Sequence, residues 1–111
     1  MAHDVRESDW KAFRQVQEVA LDRFCKRILA EVSDLIHDGS RSYHDRYRGL
    51  WSLLRDRDED VARAFDGPRR SRLLWQLAAI HHLGLLEPDE FARFTPETRE
   101  TIESLSKGLL R

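Results

Sequence analysis

The chain is poor in the residues that staple, kink or turn a backbone: one cysteine, three prolines and five glycines in 111 residues, with no asparagine at all. A single thiol, Cys25, has no partner for an intrachain disulfide, which excludes a disulfide scaffold and favours a reducing, cytoplasmic setting. Long hydrophobic runs are missing too. The most apolar stretch, residues 73–86, is shorter than a membrane span and is interrupted by Gln76, His81 and His82. The N-terminal MAHDVRESD carries charges where a signal peptide needs an apolar core, so neither export nor a membrane partner is expected. Charge of one sign is also lacking: 19 basic side chains face 20 acidic ones, which argues against basic tails, acidic buffers and long-range electrostatic recruitment. The bias of 16 arginines over 3 lysines, with no asparagine, points to a GC-rich, bacterial genome.

What is present is helical periodicity. Trp10, Phe13, Val16, Ala20, Phe24, Ile28, Val32 and Leu35 recur every three or four residues, as one face of an α-helix requires. This predicts a helix over about 9–37, with Ser8 as N-cap, Asp9 in the first turn and Gly39 in the stop. Residues 1–7 are expected to be a flexible N-terminus. A second helix is expected over about 43–65, capped by Ser42 and carrying Tyr43, Tyr47, Leu50, Trp51, Leu54, Val61 and Phe65. The charged run 55–60 interrupts that apolar stripe, and Gly49 weakens the helix by about 1 kcal/mol relative to alanine. Asp66-Gly67-Pro68 separates it from a third helix over about 68–83, started by Pro68 and stopped by Gly84. Helix three is the most apolar segment and therefore the expected centre of the fold. Short helices over about 88–94 and 96–107 follow, each opened by a proline with acids behind it. No segment alternates as a strand does. The fold class is a single small all-α domain over 1–111: two long helices forming a hairpin, with a three-helix C-terminal half.

The chemistry-bearing residues have simpler readings than catalysis. Asp34, His37 and Asp38 share a helix face, but no two histidines sit at i and i+3 or i+4, the spacing a helical metal site needs. His81 and His82 are adjacent and diverge by about 100°. Cys25 beside Lys26 and Arg27 has no histidine near it in sequence and reads as a small packing residue. Asp56, Asp58, Glu59 and Asp60 alternate with Arg55 and Arg57 as a self-neutralising surface. There is no phosphate loop, nucleophile elbow or HExxH motif. No enzymatic activity, metal or cofactor is expected.

Two binding readings remain. A straight 29-residue helix spans about 43 Å, against a radius of gyration near 13 Å for a domain this size, so its apolar stripe overhangs. Trp10, Phe13, Phe24, Ile28, Val32 and Leu35 are therefore the candidate surface for a second copy or another helical protein, in an interaction or regulatory module. The alternative is nucleic acid. Residues 41–72 carry nine basic and six acidic side chains, whereas the flanking segments are each net negative by two. In that segment Arg41, Arg46 and Arg48 interleave with Tyr43 and Tyr47, and Arg69, Arg70 and Arg72 cluster, suited to phosphate contact and base stacking. The last three oppose the dipole of the helix that follows and have no local partner.

Overall fold

Helical periodicity governs the whole chain. The computed structural model describes residues 5–109 and is built from helices α1 (Glu7–Ile36), α2 (Tyr43–Phe65), α3 (Leu73–His82), α4 (Pro88–Phe91) and α5 (Pro96–Gly108), with no strand among the described residues. One 3-10 turn, Arg70–Arg72, precedes α3. No helix among the described residues is long and apolar enough to cross a membrane.

The helix ends follow local chemistry. Ser42 caps α2 by accepting from the Asp45 amide at 3.0 Å. Gly67 and Gly84 take left-handed backbone, φ 55° and 73°, and end the runs before them. Two expected starts shift. Pro68 does not open helix three: the polar, exposed Arg70–Arg72 turn intervenes, and α-helix begins at Leu73, the first residue there that is fully buried. Ser8 does not cap α1, which begins two residues before the expected start, at Glu7, behind an extended Arg6. Of the flexible N-terminus expected over 1–7, residues 1–4 lie outside the described residues; Val5 packs against the core and Glu7 is already helical.

The core sits at one end of the molecule. α3 is its centre, with Leu73, Leu77, Ala78 and Ile80 fully buried, covered by Phe13, Val16, Ala20 and Phe24 of α1, Phe65 of α2, Phe94, and Ile102 of α5. α3 is not enclosed all round, since its Trp75 is 62% exposed. Polar ties fasten the same body. Asp9 is buried, 1% exposed, and accepts from the Thr95 amide (2.9 Å), the Thr95 hydroxyl (2.8 Å) and the Thr98 hydroxyl (2.7 Å), so α1 supplies the cap of α5. Arg27 donates to the Leu83 carbonyl at 2.6 Å, and Arg23 donates to that of Leu85 at 2.9 Å, placing cations at the C-terminal end of α3. Arg23 also grips Glu90, and hydrogen bonding from its guanidinium holds that carboxyl below the ordinary carboxylate range.

Beyond the body, α1 and α2 continue as an antiparallel arm. No residue between Ile28 and Ala64 is buried. The molecule measures 53 × 26 × 23 Å with a radius of gyration of 16.5 Å, well above the ~13 Å of a compact domain of this length. The expected hairpin therefore forms, but α2 covers only one side of the distal half of α1.

Candidate interaction face on the helical arm

The seam of the arm is narrow. Val32 and Leu35 of α1 are half-buried against α2, and a side chain at Gly49 would come within 3.3 Å of Leu35, so glycine lets the helices approach there. Arg57 occupies an inward position of α2 where the apolar stripe breaks. Its guanidinium binds both oxygens of Glu31 at 2.9 and 2.8 Å and also reaches Asp60. That hydrogen bonding lowers the Glu31 carboxyl and raises Arg57 further above its ordinary value. Arg63 extends the network through Asp60 at 3.5 Å. The run 55–60 thus remains helical because one of its arginines turns inward and ties the helices on one flank.

The other flank is apolar. At about 100° per residue, Cys25, Leu29 and Ile36 lie about 60–100° round from the seam on α1. By the same rule Tyr43, Tyr47, Trp51 and Leu54 lie about 60–140° round from the inward line of α2. Antiparallel right-handed helices turn in opposite senses when viewed along one axis, so both sectors face the same side of the hairpin. The ion-paired Glu31, Asp60 and Arg63 fall on the opposite side. The exposures are large: Leu29 67%, Ile36 45%, Tyr43 84%, Tyr47 61%, Trp51 64% and Leu54 40%. A shallow groove of about 860 Å³, lined by Trp51, Leu54, Arg55, Asp58, Glu59 and Ala62, runs along α2. Towards the body the same sector of α1 turns polar, with Asp22, Glu18 and Lys11, so this apolar face ends with the arm; Val19, Trp75 and Leu109 are the other exposed large apolar residues among those described.

This relocates the surface expected from sequence. Phe13, Phe24 and Ile28 are core residues, and Trp10 is half-buried on Phe13 at 5.8 Å between ring centroids. With Val32 and Leu35 in the seam, the Trp10-to-Leu35 stripe is consumed within the chain. The physical reason is that α2 and α3 pack on it. The exposed residues are its neighbours, one flank round.

The arginine clusters are held apart and largely engaged. Arg46 donates to the carbonyls of Ile36 (2.9 Å) and Arg41 (3.0 Å), capping the end of α1, and its guanidinium lies over the Tyr43 ring at 4.5 Å. Arg41 reaches the Asp45 carbonyl at 3.4 Å. Arg70 pairs with Glu7 at 2.7 Å and covers Trp10, while Arg72 donates to the Asp66 carbonyl at 3.0 Å. Those contacts give two of the three dipole-opposed arginines, Arg70 and Arg72, their partners. Arg48 and Arg69 stay exposed. The two clusters stand at opposite ends of α2, about 33 Å apart along its axis, and do not form one face.

The remaining candidates serve local structure. His37 donates through Nδ1 to the Ser33 carbonyl at 2.8 Å. Asp38 accepts from the amide and hydroxyl of Ser40, which hold its carboxyl below the ordinary range. Among the described residues no three His, Cys, Asp or Glu side chains converge as a metal site. Cys25 is exposed at the base of the apolar flank. Leu29, Ile36, Trp51 and Leu54 escaped the sequence reading as binding residues. Their signal was an excess of apolar residues per turn over what a single two-helix seam can cover. No family model, curated protein or solved structure matches the chain.

Proposed function

We propose that the protein is a non-enzymatic interaction module whose working surface is the apolar flank of the arm, Leu29, Ile36, Tyr43, Tyr47, Trp51 and Leu54. One observation carries this reading: the apolar sector is confined to the part of the hairpin that the body does not cover, while the opposite flank is closed by ion pairs. From the exposed fractions, these six residues, their polar atoms included, present roughly 700–800 Å² to water, close to one partner's share of a stable interface.

A photo-crosslinking residue placed at position 51, and separately at Asp56 on the polar flank, tests the reading in cells producing the full chain. Protein–protein crosslinks are expected from position 51 and not from 56. Equal yields from the two positions, or none from 51, would refute it.

A further inference from the structure

Resting on that reading, we infer that the occupant of the arm face is a second copy of this chain, docked antiparallel so that the two arms overlap and the two bodies lie at opposite ends. Two copies of a two-helix layer then form a four-helix bundle about an in-plane two-fold axis.

The register follows from the face itself. Within the hairpin, Leu35 lies against Gly49, and Glu31 binds Arg57, so each α1 position stands level with an α2 position and the two numbers sum to about 85. A two-fold axis midway between Leu29 and Ile36 on α1 then crosses α2 between Ser52 and Leu53. About that axis Leu29 meets the partner's Ile36, and Trp51 meets the partner's Leu54. Tyr47 faces the partner's Asp58, to which its phenol donates. Tyr43 faces the partner's small Ala62. One axis thus satisfies both helices, with a large residue opposite a small one at each end.

Charge selects this orientation over the tip-to-tip alternative. The distal end of the face carries Arg46, stacked on Tyr43. Its base carries Asp58 on α2 with Glu18 and Asp22 on α1. Tip-to-tip docking gathers both Arg46 guanidiniums at one end and the acids of both copies at the other. Antiparallel docking sets each basic tip against an acidic base. The area is of the right order: complete burial of roughly 700–800 Å² on each copy totals at most about 1,400–1,600 Å², within the range of standard stable interfaces.

The test is light scattering on the full chain at about 100 µM, a concentration that populates any dimer with a micromolar or lower Kd. It is combined with spin labels at Ser40→Cys in a Cys25→Ser background. Twice the monomer mass is expected, with tip labels about 30–35 Å apart from the helix rise. Trp51→Glu and Leu29→Glu, on different helices, are each expected to weaken association at least ~100-fold, the effect of a lost central anchor or a desolvated charge. Unchanged far-ultraviolet circular dichroism separates this from unfolding. A monomeric wild type overturns the second copy as occupant while leaving the arm face to the crosslinking comparison. Tip labels closer than about 20 Å overturn the antiparallel register. A dimer that survives both glutamate variants overturns this inference and the arm reading together.

Discussion

Removing the Asp9 carboxylate is the sharpest test of how the body is held together. In Asp9→Ala the Thr95 amide, the Thr95 hydroxyl and the Thr98 hydroxyl lose their common acceptor in a site where Asp9 is 1% exposed. Loss of a helix cap costs about 0.5–2 kcal/mol, and each hydrogen bond to a charged group contributes about 1.5–3 kcal/mol. The gross loss is reduced because an alanine has no charge to desolvate, and because the threonine hydroxyls turn to other acceptors. The net expectation is about 3 kcal/mol, or a fall of roughly 12 °C in the unfolding midpoint of a domain this size. Thermal and urea denaturation followed at 222 nm measure it. Thr98→Val, which removes one bond and keeps the shape, is expected to cost about 1 kcal/mol, and the double variant less than the two losses added, because they share a partner. An Asp9→Ala protein within about 1 kcal/mol of wild type would refute the claim that α1 caps α5.

Other outcomes follow from the same coordinates. Glu90 is held below the ordinary carboxylate range by hydrogen bonding from Arg23, so its contribution to stability is fully present above its unfolded value and is lost as pH falls through the lower folded one. Glu90→Gln is therefore expected to destabilise at pH 7 and to converge with wild type in acid, as denaturant midpoints across pH will show. Arg57→Ala and Glu31→Ala are each expected to cost about 1 kcal/mol, since both side chains are about one-third exposed, with a double-mutant coupling of the same size. A coupling near zero would make the pair ornamental. Phe24→Ala is expected to cost about 3–5 kcal/mol, whereas Tyr47→Ala, on the exposed arm face, is expected to shift the low-concentration midpoint by less than about 1 kcal/mol. If the two cost the same, the division between buried body and uncovered arm is wrong.

The existence and ends of the helices were legible because their causes are local. Ser42, Gly67 and Gly84 act within a few residues of themselves, and the all-α class follows from spacing alone. The partner of each face was not legible, because it is set by elements far away in sequence. Asp9 looks like a solvated first-turn acid until Thr95, 86 positions later, is folded against it. The stripe from Trp10 to Leu35 looks like an overhang until α3 and the C-terminal end of α2 are laid along its first half. Arg70 and Arg72 oppose the helix that follows only if Glu7 and the Asp66 carbonyl are left out. For the arm face, the composition signal was present and the assignment was not: a stripe and its neighbour one flank round have nearly the same spacing, and only the position of α2 tells them apart.

The two halves of the molecule obey different physics. In the body, α3 is enclosed on several sides, and Leu73, Leu77, Ala78 and Ile80 reach zero exposure, so packing fixes the structure. In the arm there is one layer of two helices, and such a layer can bury a single seam and nothing else. Its order rests on polar devices: the Ser42 cap, the Arg46 bonds to the end of α1, the close approach at Gly49 and the Glu31–Arg57–Asp60 network. These devices all lie in the loop, in the seam or on the charged flank. The apolar flank receives no such closure, although it carries the three most exposed large apolar side chains of the arm, Tyr43, Leu29 and Trp51. A chain whose only role was to fold would gain solubility from polar residues at those positions, at no cost to the core, because none of the three touches it. Their presence outside the core, on one side, over the full length of the arm, is the feature that folding alone does not require and that a second layer of helices would use.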